Sequence, residues 1–339
     1  MEFSRMITTV DSHTAGEPTR VVTGGIPHIP GETMAAKKKW LQENLDHLRK
    51  TLMWEPRGHQ DMFGAVLTSP TSADADIGVI FMDGGGYLDM CGHGSIGAVT
   101  ALVETGMVEI PSPENNVISL VLDTPAGKVK AKVQTENSKV KAVTIRNVPA
   151  FLYKTIQLKL SDIGEITVHI SYGGNFFALV KASDLQIALQ VENIKHLQSR
   201  GMEIREKINR EHVILHPATG EKAEVDLVEI YEEGLQPKNV VIFGAGQVDR
   251  SPCGTGTCAK MALLHEKGHL KLNQPYVYSS LFNTTFTGRL IEESTAGELR
   301  AVIPEIEGRA FITGIHQFVI DREDPLGHGF SFSAQHPDE

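Results

Sequence analysis

Two stretches decide how this chain folds: Cys91-Gly-His-Gly-Ser-Ile-Gly-Ala-Val-Thr-Ala-Leu-Val-Glu-Thr-Gly106 and Cys253-Gly-Thr-Gly-Thr-Cys-Ala-Lys-Met-Ala-Leu-Leu-His-Glu-Lys-Gly268. Set one above the other, the cysteine, both early glycines, Leu102/Leu264, Glu104/Glu266 and Gly106/Gly268 coincide, and Ser95/Thr257 and Gly97/Ala259 are near-equivalents. Such a repeat implies two related halves, each carrying one cysteine. Beyond the Cys-Gly-x-Gly turn both copies are apolar nearly all round, through Ile96, Val99, Leu102 and Val103 in the first and Cys258, Met261, Leu263 and Leu264 in the second. A helix without a polar face belongs inside a core. One buried central helix per half is expected, with the cysteine at its N-terminus.

Outward from the repeat, each copy follows an amphipathic helix. One lies near 34–52 with Leu41, Leu45, Leu48 and Leu52 on one face, the other near 191–209 with Ile194, Leu197, Ile204 and Ile208. The Lys37-Lys38-Lys39 run on the first reads as a solvated face. Short apolar runs bounded by Gly, Pro or Asp read as strands at 77–81, 239–243 and 276–278, and Thr124-Pro-Ala-Gly127 followed by Val129, Ala131 and Val133 reads as a hairpin. The sheet content looks antiparallel rather than βαβ. The fold class is α/β in the α+β sense: two pseudo-symmetric domains, each a central helix wrapped by a mostly antiparallel sheet.

With 339 residues and 41% hydrophobic residues the chain is long enough for two domains. A formal net charge of -10 argues against a nucleic-acid or anionic-membrane surface, which needs concentrated positive charge. The N-terminal sequence lacks the pattern of a secretory signal and no apolar run reaches membrane-spanning length, so a cytoplasmic location is expected. Three cysteines without a CxxC pair make neither a disulfide framework nor a zinc motif, and free thiols follow in a reducing compartment.

A thiol at a helix N-terminus feels the positive end of the helix dipole, which favours thiolate. The first-turn N–H groups form an anion site suited to a carboxylate. Two such turns facing one ligand would place a sulfur on either side of it: a thiolate takes an α-proton from one face and a thiol delivers one to the other. The N–H groups of Gly92, His93, Gly254 and Thr255 would stabilise charge developing on the carboxylate. Cys258 has Ile96 as its counterpart and reads as helix core.

Gly92-x-Gly94-x-x-Gly97 also matches a dinucleotide fingerprint, but Asp83-Gly-Gly-Gly-Tyr-Leu-Asp-Met90 before it is no buried apolar strand, which disfavours an NAD-dependent oxidoreductase. No Gly-Lys-Ser/Thr follows for a phosphate loop. A metal held by Cys91, His93, His13 and His59 lacks ligand spacing. Acyl transfer by Cys91 and His93 leaves the second cysteine unexplained. A non-catalytic binding protein on the same fold is the remaining alternative.

Four further stretches carry a resemblance: Asp11-Ser-His-Thr-Ala-Gly-Glu-Pro18, Glu55-Pro-Arg-Gly-His59, Met90-Cys-Gly-His-Gly94 and Asp249-Arg-Ser-Pro-Cys-Gly-Thr-Gly256. Together they make the chain resemble the proline racemase family along essentially its whole length. The resemblance implies a diaminopimelate-epimerase-like fold, a homodimer, no pyridoxal phosphate and no metal. It implies Cys91 and Cys253 as the acid/base pair, with His93 and Asp249 near the substrate nitrogen. The branch that dehydrates 3-hydroxyproline looks to have lost one of the two cysteines, and both stand here. In the proline racemases two phenylalanines pack on the unsubstituted ring; Phe63 and Phe243 occupy the matching positions. An apolar wall desolvates a ring hydroxyl at a cost of about 1–3 kcal/mol, which favours proline over 4-hydroxyproline as the imino acid substrate. The expected domains are 1–147, completed by the C-terminal segment 314–339, and 148–313, with the substrate taken in a cleft between them.

Overall fold

The structure is a computed structural model and describes residues 3–108, 116–137 and 139–332. The chain divides into two compact units, Met1–Ile145 with Arg309–Glu339, and Arg146–Gly308. Of the expected C-terminal segment, residues 333–339 lie outside the described residues.

The first unit begins with β1 (Phe3–Thr14) and β2 (Glu17–Gly24), an antiparallel pair. Helix α1 (Met34–Met53) starts where the Thr33 hydroxyl accepts the N–H of Ala36, and buries Leu41, Leu45, Leu48 and Leu52 as their spacing requires. It leads to β3 (Phe63–Thr68), which lies parallel to β2 and antiparallel to β4 (Ile77–Asp83). Strand β5 (Tyr87–Leu88) turns back along β4 and delivers the chain to α2 (Gly92–Glu104), whose residues from Gly92 to Val103 are all buried. Strand β6 (Val117–Thr124) lies parallel to β4 and forms the expected hairpin with β7 (Gly127–Glu136). Along β7, Val129, Ala131 and Val133 are buried while Lys128, Lys130 and Lys132 alternate outward. Strand β8 (Lys139–Arg146) ends this part of the chain.

The second unit repeats the plan. Strand β10 (Gly164–Tyr172) pairs antiparallel with β9 (Phe151–Leu160) and β11 (Phe176–Lys181). After the one-turn α3 (Ala182–Leu185), helix α4 (Ile194–Glu211) buries Leu197, Ile204 and Ile208. A short ladder, β12 (Ile214–Leu215) with β13 (Lys222–Ala223), precedes β14 (Leu227–Glu232), which lies parallel to β11 and antiparallel to β15 (Lys238–Phe243). Strand β16 (Gln247–Asp249) turns back along β15 and leads into α5 (Gly254–Glu266). Strand β17 (Tyr276–Ser279) lies parallel to β15 and antiparallel to β18 (Thr285–Ala296), which pairs with β19 (Leu299–Gly308). The last strand, β20 (Ala310–Asp321), belongs to the first unit, running antiparallel to β1 over almost its whole length.

The sheets are mostly antiparallel, but each unit contains two parallel pairings that depart from the sequence expectation, β2–β3 and β4–β6 in the first and β11–β14 and β15–β17 in the second. The β2-α1-β3 and β11-α4-β14 segments are crossovers between parallel neighbours. The amphipathic helices α1 and α4 are therefore crossover elements, and the buried α2 and α5 lie in the crossovers from β4 to β6 and from β15 to β17. The lysine run also differs. Lys37 is buried, its Nζ donating to the carbonyl and hydroxyl of Ser69 at 2.8 Å, and Lys38 pairs with Asp89. Only Lys39 of the three is fully solvated, because successive helical positions point in different directions. No helix among the described residues is long and apolar enough to cross a membrane.

Candidate active site

In the first unit Cys91 caps α2 in extended backbone (φ -147°, ψ 127°), and its sulfur accepts the N–H of Gly94 at 3.3 Å. The helix terminus thus donates to the thiol, as the sequence reading expects. Gly92 and His93 follow as the first helical residues, both buried. His93 Nδ1 stands 3.2 Å from the Cys91 sulfur, within reach of proton exchange. The ring of Phe63, at the start of β3, meets the His93 ring edge-on with centroids 4.5 Å apart. A β-carbon at Gly94 would lie 2.9 Å from Phe63 and 3.0 Å from Phe81, so only glycine lets the turn sit on these rings. Gly97 approaches Ser12 and Thr19 in the same way. These two glycines serve helix packing, which accounts for the apparent dinucleotide fingerprint.

In the second unit Cys253 precedes α5 with φ 59° and ψ 110°. A left-handed backbone at a non-glycine residue stores strain of order 1–3 kcal/mol and is a feature of functional sites. The polar groups that hold it come from the turn itself and from Asn239 on β15. Ser251 N–H donates to Asp249 at 2.8 Å, the Ser251 hydroxyl accepts Cys253 N–H at 3.1 Å, and Asn239 Nδ2 donates to the Pro252 carbonyl at 2.8 Å. Thr257 donates through its hydroxyl to the Cys253 carbonyl at 2.7 Å. Gly254 and Thr255 open the helix, buried, with the Thr255 hydroxyl 3.8 Å from the sulfur. Phe243, at the end of β15, belongs to the apolar cluster that includes Cys253.

The expectation that a helix terminus makes a ready thiolate is corrected at Cys253. Burial pushes this thiol well above its usual range, and the charge of Asp249 pushes it further. The N–H of Gly256 and the hydroxyl of Thr255 pull the other way and do not offset it. Burial thus favours the protonated thiol at Cys253. Cys258 is fully buried one turn along, and burial likewise raises it to about 12, in keeping with a core residue.

The sequence-derived residues thus fall into two groups: Cys91, Gly92, His93 and Phe63 around the start of α2, and Cys253, Gly254, Thr255, Asp249 and Phe243 around the start of α5. His13 stacks on Phe311, and His59 accepts the N–H of Asp61. Among the described residues no group of three or more His, Cys, Asp or Glu could hold a metal ion. Sequence reasoning missed Thr14, whose hydroxyl donates to the His93 carbonyl at 3.0 Å, and Asn239. It also missed why Asp11-Ser-His-Thr14 and Glu55-Pro-Arg57 belong together. The Arg20 guanidinium pairs with Asp11 at 2.8 Å and donates to the carbonyls of Leu52 and Arg57 at 2.6 Å, locking β1 and β2 to the end of α1.

The family model described as "Proline racemase" matches residues 9–331. The proline racemase of Acetoanaerobium sticklandii is 55% identical over 337 residues, covering 98% of this chain and all of that one. That of Clostridioides difficile is 52% identical over 335 residues, covering 97% and 99%. Among solved structures, a hydroxyproline epimerase from Agrobacterium vitis with bound trans-4-hydroxy-L-proline superposes with a TM-score of 0.92 at 34% identity, over 98% of this chain and 96% of that one.

Proposed function

The chain belongs to the proline racemase family, and on that premise we propose that it interconverts L- and D-proline by α-proton transfer between two thiols, Cys91 and Cys253. The observation that carries the reading is the duplicated device itself: a buried cysteine at the start of a wholly buried helix, once in each unit. In one direction the Cys91 thiolate removes the α-proton and the Cys253 thiol protonates the opposite face; the other enantiomer reverses the roles. No cofactor is needed to hold the developing negative charge. The first-turn N–H groups of Gly92, His93, Gly254 and Thr255 are aimed at a carboxylate, where charge accumulates as the α-proton leaves. His93 and Asp249 attend the ring nitrogen; a carboxylate beside the pyrrolidinium also makes the α-proton easier to remove by holding the nitrogen cationic.

Phe63 and Phe243 set the choice of ring. Both are buried side chains with no polar atom to offer a hydroxyl, so the unsubstituted ring is preferred. The reading includes a homodimer in the cytoplasm, tested by light scattering and by fractionation.

The decisive experiment incubates the chain with L-proline in D₂O in the presence of a metal chelator. Loss of optical rotation with α-deuterium incorporation is expected. Absence of both overturns the racemase reading. Faster exchange with trans-4-hydroxy-L-proline than with proline would reassign the substrate to the hydroxylated ring, and dehydration of trans-3-hydroxy-L-proline would move the chain out of the racemases.

A further inference from the structure

Beneath the Cys253 turn lies an ionisable group that the reaction above does not use. Glu229 is fully buried in β14, opposite Leu179 on β11 and Val241 on β15. Its Oε1 accepts the hydroxyl of Tyr278 at 2.7 Å. Its Oε2 has no hydrogen-bond partner and points at the first turn of α5. A β-carbon on Gly256 would lie 2.5 Å from Oε2 and 3.2 Å from the Cys253 sulfur, so the bare glycine is what lets carboxyl and thiol approach across the turn. The matching place in the other unit, beneath Gly94, is filled by the rings of Phe63 and Phe81. The two cysteines sit on different floors, one aromatic and one acidic.

The groups facing Glu229 are few. Tyr276 and Tyr278 lie on β17, Tyr231 on β14, Asp249 on β16, and Cys253, Cys258 and Lys260 on or at the start of α5. Lys260 is the sole cation among them, and it rests over the Tyr231 ring at 3.0 Å. Asp249 already adds negative charge to this dry region. Burial pushes Glu229 up to about 8, with the Tyr278 hydroxyl and Lys260 opposing. A second carboxylate beside a thiolate would place like charges together in a low dielectric, and the two ionisations therefore compete.

We propose that Glu229 is a positioning residue that governs the proton of Cys253: neutral, it permits the thiolate; ionised, it holds Cys253 as the thiol. Alkaline conditions then favour the form in which Cys253 donates and Cys91 accepts, while kcat/KM stays equal in the two directions because the two enantiomers are equally stable. This deepens the proposed function and rests on it for the role of Cys253.

The test reads thiol ionisation and needs no turnover, so it stands apart from whether proline is the substrate. Chains labelled with ¹³C at the cysteine β-carbons are titrated by NMR, the Cys253 signal being the one lost in Cys253→Ser. In Glu229→Gln the Cys253 midpoint is expected to fall by about one pH unit, a tenfold gain in thiolate at a given pH, with the Cys91 signal unmoved. Tyr278→Phe removes the donor that favours the Glu229 carboxylate, so the inflection that Glu229 imposes on the Cys253 curve should move to higher pH. A superimposable Cys253 curve in folded Glu229→Gln overturns the proposal; should that variant not fold, an unmoved inflection in Tyr278→Phe does so.

Discussion

The hydroxyl of Thr14 donates to the backbone carbonyl of His93 at 3.0 Å, joining the end of β1 to the first turn of α2. The residue beside the Cys91 sulfur is thus held from outside its own helix. Thr14→Val keeps the shape and removes the donor, so the His93 carbonyl loses one hydrogen bond at a cost of about 0.5–1.5 kcal/mol. A lower Tm and slower racemisation are expected together, by thermal denaturation and polarimetry. If neither moves, the link is idle.

Replacing either sulfur separates the two roles. Cys91→Ser and Cys253→Ser should each lower racemisation by at least about a hundredfold, since a positioned acid or base contributes on that scale. Circular dichroism should be unchanged, because serine fits the same turn. Full activity in either variant would be fatal to the two-thiol mechanism.

Gly94→Ala drives a methyl group to 2.9 Å from Phe63 and 3.0 Å from Phe81. Both rings must shift, at a cost of about 1–3 kcal/mol for overpacking. Weaker proline binding should accompany the lost stability, because Phe63 also orients His93. Calorimetric titration beside a denaturant melt would show whether the two losses travel together.

Phe63→Ser supplies a hydroxyl where the wall is apolar. It should raise kcat/KM for trans-4-hydroxy-L-proline relative to proline by about tenfold, the scale on which one pocket group discriminates. An unchanged ratio would mean that Phe63 is plain core.

Glu229 makes stability depend on pH in a definite direction. Its folded value of about 8 lies above its ordinary 4.5, so the folded chain holds a proton that the unfolded chain releases. Its stabilising contribution is complete below about pH 4.5 and is lost as pH rises to about 8, by at most about 1.4 kcal/mol per pH unit. Glu229→Gln should flatten that slope in urea melts and be the more stable chain at pH 8. An identical slope in both would show that Glu229 is ionised throughout.

What could be read from the amino acids follows from which constraints are local. A helix buried on every side needs apolar residues on every side, so α2 and α5 were legible, as was the Thr124–Gly127 hairpin from its turn and the alternation after it. Parallel pairing was not legible. Strands β3 and β14 are short apolar runs with no period of their own, and their partners are chosen across a helix. Lys37 was misread because a run of like charge was treated as one face, whereas a helix turns the first lysine onto Ser69. Glu229 had a signal that went unused: a lone acid inside the apolar run Leu227-Val-Glu-Ile-Tyr231. Thr14 had none, since its partner is far along the chain.

The ladder of β20 on β1 ties the last strand of the chain to the first. The unit holding Cys253 is one continuous stretch and can close as soon as it leaves the ribosome, whereas the unit holding Cys91 waits for the C-terminus. A chain released before Ala310 would keep β1 paired with β2 but leave its other side an open edge that invites aggregation. The sheet of the unit that holds Cys91 is thus complete only once Ala310–Asp321 has been made.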